Sequence, residues 1–172
     1  MAILEYLHTP ALKLLAIEDS ANITAPLTLF LTQPFLQLDR LVLTRMQHET
    51  TRESLINWLN VVPSVTKLEL GFAGATLADM DTIVSEFMGR PRFLPNLGSL
   101  RVKIAQDNKD DVFTPAVVLE MLVWRWAATS VGTARLQSFL LKGCGTGCAQ
   151  VIDSHPQFSK LEQEGMTLRV EP

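Results

Sequence analysis

The feature that most constrains this chain is a spacing of leucines that recurs along its whole length. Leucine-x-x-leucine-x-leucine, with conservative substitutions, appears at Leu12, Leu15 and Ile17, at Leu38, Leu41 and Leu43, and at Val65, Leu68 and Leu70. It returns at Leu97, Leu100 and Val102, at Leu136, Phe139 and Leu141, and in part at Leu168 and Val170. Successive full copies start 26, 27, 32 and 39 residues apart. The last two anchors of each copy are two residues apart, which places both on one face of a β-strand. Pro10, Pro34, Pro63 and Pro95 introduce four of the copies. Proline lacks an N–H donor and clashes with the preceding turn, so each is expected to stop a helix just before its strand.

Helix signals fill the intervals. Thr50 and Glu53 form a capping-box pattern ahead of Leu55, Ile56, Trp58 and Leu59. Thr76 precedes Leu77, Met80, Ile83, Val84, Phe87 and Met88 at helical spacing. Thr114-Pro115 reads as a cap and first-turn pair, with Val117, Val118, Met121, Leu122 and Trp124 behind it, and Pro26 opens a helix over Leu27 to Leu31. Strands alternating with helices at a short period predict an α/β fold. The specific expectation is a leucine-rich-repeat solenoid arc of five to six irregular repeats. Its parallel β-sheet lies on the concave face and its helices on the convex face. The first two spacings fall within the roughly 20–29 residues of such repeats. The later two require insertions, one of them the charged stretch Asp107 to Asp111. The alternative is an α/β sandwich whose strands are leucine-rich by chance.

Composition agrees with one folded domain over residues 1–172. The chain is 47% hydrophobic and 19% charged, too apolar for a disordered protein. A net charge of -3 argues against a globally basic nucleic-acid binder. Two cysteines make no disulfide scaffold. Met1-Ala2-Ile3-Leu4-Glu5 has an acid where a signal peptide carries basic residues. The longest apolar run, Val117 to Trp126, is interrupted by Glu120 and Arg125. A cytoplasmic or nuclear protein that does not enter a membrane is expected.

Strand alternation also predicts which residues face away from the helices. These are Leu14, Ala16 and Glu18, then Arg40, Val42 and Thr44, then Lys67, Glu69 and Gly71. Ser99, Arg101 and Lys103 follow, then Ser138, Leu140 and Lys142, then Thr167, Arg169 and Glu171. The centre of this surface is basic: Arg40, Lys67, Arg101, Lys103 and Lys142 stand against Glu69. Such a strip favours a protein partner with an acidic segment, with Val42 and Leu140 adding apolar contact. Charges on exposed strands also keep a sheet from aggregating, which is the competing explanation. No catalytic residue, cofactor or metal is expected. Leu14 to Ile17 is apolar on both faces, so the first strand is expected to meet an upstream domain, a second copy of the chain, or a short helix from Ile3 to Leu7.

One motif points elsewhere. Gly143-Cys144-Gly145-Thr146-Gly147 follows a strand and resembles the glycine-rich loop of S-adenosylmethionine-dependent methyltransferases. Glu171 then stands where that family's ribose-binding acid would be. Three features weaken this alternative. The acid expected two residues before Gly143 is Leu141, only 25 residues follow Gly147, and Cys144 falls at the ninth repeat position, where a small residue or cysteine turns the chain inward. Cys144 and Cys148 lack a second pair to complete a zinc site. His8, His48 and His155 are too scattered for catalysis. Trp124 is expected in the core with Met121 and Val117, and Trp126, turned about 200° away, beneath residues 127–135.

Three stretches carry a family resemblance. They are Pro95-Asn96-Leu97-x-x-Leu100-x-Val102; Leu119-x-Met121-Leu122-x-x-Arg125-Trp126 with Leu136-x-Ser138-Phe139-x-Leu141; and Leu161-x-x-x-Gly165-Met166-x-Leu168-x-Val170. Together they resemble the degenerate C-terminal leucine-rich region of fungal, mushroom-type F-box proteins. The resemblance implies substrate recognition for a ubiquitin ligase. No F-box motif precedes the repeats, the first of which begins within a dozen residues of Met1.

Overall fold

The computed structural model describes residues 11–18, 23–46, 52–73, 77–90, 92–105, 115–127 and 132–172. Among these, strands and helices alternate almost throughout. The strands are β1 (Leu14–Glu18), β2 (Arg40–Met46), β3 (Lys67–Ala73), β4 (Ser99–Ala105), β5 (Ser138–Lys142) and β6 (Thr167–Glu171). The helices are α1 (Thr24–Leu31), α2 (Arg52–Asn60), α3 (Leu77–Gly89), α4 (Pro115–Ala127), α5 (Thr146–Asp153) and α6 (Pro156–Gln163). All six strands are parallel and lie in chain order, β1-β2-β3-β4-β5-β6. The expected α/β architecture with a parallel sheet is therefore observed.

The leucine pattern explains which face the helices cover. The second and third anchors lie side by side across the sheet: Leu15, Leu41, Leu68, Leu100, Phe139 and Leu168 in one row, Ile17, Leu43, Leu70, Val102, Leu141 and Val170 in the next. All are buried except Val170, which is partly so. Leu27, Phe30, Trp58, Leu59, Phe87 and Leu122 meet them from the helices. Consecutive helices touch one another from α1 to α6, forming one layer beside the sheet. The first anchors Leu38, Val65, Leu97 and Leu136 are also buried, below the strand entries.

A recurring backbone arrangement locks each unit to the next. The carbonyl just before β1, that of Lys13, accepts the N–H groups of Asp39 and Arg40 at 2.8 and 3.0 Å. Asp39 O accepts from Thr66 and Lys67, Thr66 O from Gly98 and Ser99, and Gly98 O from Gln137 and Ser138. Gln137 O accepts from Thr167 at 2.9 Å. Side chains add links between neighbouring units: Trp58 Nε1 donates to Thr28 Oγ1, Ser64 Oγ to Leu38 O, and Asn96 Nδ2 to Pro63 O.

Several expectations change in detail. Pro34 and Pro63 follow α1 and α2 within three residues, whereas Pro95 lies six beyond the end of α3. There the chain instead makes a loop with Leu94 in the left-handed region, at φ 45°. Helix α4 turns Val118, Leu119, Met121, Leu122, Arg125 and Trp126 inward. Trp124 is only half-buried, so its expected core place is corrected. Trp126 is packed, as expected: Arg135 lies over its ring at 4.3 Å, and its Nε1 donates to Glu164 at 2.6 Å. The caps Thr50, Thr76 and Thr114, the insertion Asp107 to Asp111, and residues 3–7 lie outside the described residues.

Arg125 displaces Trp124 from the core because its guanidinium has work there. It is 0% exposed and donates to the carbonyls of Phe93, Leu94 and Leu97, with the Phe87 ring 5.4 Å from its carbon. Burial pulls its pKa down to about 10, so it remains a cation at neutral pH. No other side chain brings a planar fork of donors to several carbonyls at once. Arg125→Lys is expected to lower stability by about 2–4 kcal/mol in urea unfolding.

The glycines after β5 are explained by backbone proximity. Gly143 has φ 80°, and a Cβ there would lie 2.0 Å from Ile104 O. A Cβ on Gly147 would meet nothing within 4 Å. In the same assay, Gly143→Ala is expected to cost about 2–4 kcal/mol and Gly147→Ala, in the first turn of α5, to be neutral or stabilising by up to about 1 kcal/mol.

Candidate binding face

The face of the sheet opposite the helices is laid out in rows by the strand register. The row at the strand entries holds Leu14, Arg40, Lys67, Ser99, Ser138 and Thr167. The second holds Ala16, Val42, Glu69, Arg101, Leu140 and Arg169. In the third, Glu18 faces Thr44, and Gly71, Lys103, Lys142 and Glu171 continue beyond an irregularity in β2. That irregularity is a bulge at Thr44 and Arg45, where Arg45 takes φ 55° and pairs with Glu18. Every residue expected on the partner surface lies on this face: Arg40, Val42, Lys67, Glu69, Arg101, Lys103, Leu140 and Lys142.

Their electrostatic states differ sharply. Glu69 is 7% exposed, and both its oxygens are engaged: Oε2 by Arg40 at 3.4 Å and Oε1 by Lys103 at 2.6 Å. The Lys103 hydrogen bond holds its carboxyl below the usual carboxylate range, against the opposing effect of burial, with Arg40 and Arg101 adding to it. Glu171 similarly accepts from Lys142 at 3.1 Å and Arg169 at 2.8 Å. The Lys142 hydrogen bond lowers its pKa most. Among the described residues, the Lys67 and Arg101 side chains have neither an ion pair nor a hydrogen bond. Sequence alone marked five cations as a strip; the structure places three of them in ion pairs and leaves the side chains of these two outside any.

Lys67 and Arg101 line one groove of about 480 Å³ on the open face. Its walls are the first residues of β2 to β6 together with the preceding turns, including Arg40, Thr66, Gly98, Gln137 and Thr167. Ser138 and Ser99 lie side by side in it, their hydroxyl oxygens 2.7 Å apart. Sequence reasoning placed both serines on this face but gave them no role, because the bond between them joins positions 39 residues apart. It also missed buried Arg125, which reads in sequence only as a break in an apolar run.

The remaining candidates occupy structural positions. Cys144 is buried, as its repeat position implies. Gly143 donates its N–H to Glu171 O at 2.9 Å, tying the glycine loop to β6. His155 caps α6, its Nδ1 accepting from Gln157 N–H at 3.3 Å. His8, His48 and the Cys148 side chain lie outside the description. Leu14 is 47% exposed on β1, an edge strand of the sheet. Among the described residues, no three His, Cys, Asp or Glu side chains gather as metal ligands, and no helix is long and apolar enough to cross a membrane. In comparisons with family models, curated proteins and solved structures, the chain matches none.

Glu69 carries the charge balance of the face, and its lowered pKa fixes the sign of a pH effect. The stability it supplies is complete above the unfolded glutamate pKa of about 4.3 and is lost as pH falls through the lower folded value. Glu69→Gln is expected to cost about 1–2 kcal/mol at pH 7, with the gap to wild type closing below about pH 4 in urea unfolding across pH.

Proposed function

We propose that the chain is a leucine-rich-repeat scaffold that binds a partner protein through the open face of its sheet, without catalysis. One observation carries this reading: the Lys67 and Arg101 side chains share a groove and form no ion pair among the described residues, while Arg40, Lys103 and Lys142 are paired with Glu69 or Glu171. Two unneutralised charges on a preformed rigid surface attract an acidic segment and cost little ordering on binding. Half-buried Val42 and Leu140 flank Glu69 and Arg101 in the same row and supply apolar contact. The expected setting is cytoplasmic or nuclear.

The strands in chain order and the shared carbonyl recurring at each entry support the repeat reading. The close approach of Gly143 to Ile104 supports a structural origin for the glycine loop, in preference to a cofactor loop. The F-box resemblance adds a biological context, recognition of substrates for a ubiquitin ligase.

A pull-down from source-cell lysate, read by mass spectrometry, compares wild type with a folded Lys67→Glu, Arg101→Glu variant. Partners joined to the open face are expected to fall by about 10- to 100-fold in the variant, the loss from reversing two interfacial charges. A Lys142→Glu control, whose lysine is already paired, is expected to retain most of them. Equal capture by wild type and double variant overturns this placement of the binding site.

A further inference from the structure

The groove carries more chemistry than an acidic side chain needs. Arg40, Lys67 and Arg101 against Glu69 give its lining a net charge of +2. The two hydroxyls sharpen this. Ser99 and Ser138 share one hydrogen bond, which uses one of their two protons. The other has no acceptor among the described residues and is left to donate into the groove, whichever serine carries it. The hydroxyl that gives up its proton to its neighbour strengthens the neighbour as a donor.

Both unpaired cations flank this donor. Lys67 is the register partner of Ser99 on the adjacent strand, about 4.8 Å away in backbone terms. Arg101 is two residues further along β4, on the same face and about 6.6 Å away. A carboxylate brings one charge and leaves one cation unneutralised. A phosphomonoester brings a charge of about −1.5 to −2 and three acceptor oxygens, which matches two cations and a hydroxyl donor.

We propose that the groove over Lys67, Ser99, Arg101 and Ser138 holds a phosphomonoester borne on an acidic segment of the partner. This rests on the acidic-partner reading above and adds phosphorylation as what the site selects. Glu69 also faces the groove, but Arg40 and Lys103 occupy its two oxygens, so it acts as a spacer between cations.

The test is calorimetric titration of the full chain with three probes: a blocked Glu-phosphoserine-Glu peptide, its unphosphorylated counterpart, and inorganic phosphate. Wild type is expected to favour the phosphopeptide over the unphosphorylated peptide by at least about tenfold. A Ser99→Ala, Ser138→Ala variant, checked for folding by circular dichroism, is expected to lose most of that ratio while still binding the unphosphorylated peptide. Lys67→Glu is expected to weaken both. Equal binding of the two peptides overturns the phosphate site and leaves the acidic-partner reading standing. Inorganic phosphate binding as tightly as the phosphopeptide makes it a free-anion site and overturns the peptide-borne assignment. Failure of both peptides to bind folded wild type overturns the phosphate site too, while the pull-down separately decides the acidic-partner reading.

Discussion

The structure depends on the backbone carbonyl at each strand entry, which receives N–H groups from the next unit: two at Lys13, Asp39, Thr66 and Gly98, and one at Gln137. This contact involves no side chain, so Lys13, Asp39, Thr66, Gly98 and Gln137 serve equally. It sets where each strand begins relative to its neighbour. A slip of one residue would turn every anchor leucine to the open face and every cation into the core. The apolar anchors and the entry contacts therefore specify the same register, and consistency between them favours one native arrangement.

That register creates the candidate site. Residues 26 to 39 apart in sequence become cross-strand neighbours, and charge is balanced along rows and diagonals. Glu69 reaches Arg40 on one side and Lys103 on the other, and Glu171 reaches Lys142 and Arg169. Charges that look like a uniform strip in sequence become two ion-paired clusters, each of two cations on one carboxylate, with Lys67 and Arg101 outside both. Pairs of this kind on a partly exposed face add modest stability, but they decide which cations are still available to a partner.

The loop after α3 shows a different economy. The longer third interval does not end its helix at a proline; the chain turns through Leu94 and directs three carbonyls at Arg125. A buried cation bonded only to carbonyls is an unusual core member, tolerated because both terminal guanidinium nitrogens find carbonyl acceptors. Trp126, one residue on, is closed over by Arg135 and Glu164. Helix α4 thus buries Arg125 and Trp126, neighbours about 100° apart around its axis, where the apolar periodicity pointed to Trp124.

The six strands, their inward faces and the membership of the open face were readable in sequence, because leucine spacing and period-two alternation are local signals. The buried position of Cys144 was readable for the same reason, through its place after an anchor. Tertiary structure alone decided that Glu69 and Glu171 form ion pairs with three of the five expected cations, that Ser99 and Ser138 share a hydrogen bond, and that Arg125 enters the core. Each of these depends on the partner that lies across a strand or beneath a helix. A repeating spacing states which face a residue occupies, but a charge or a hydroxyl acquires its role only from the group that faces it.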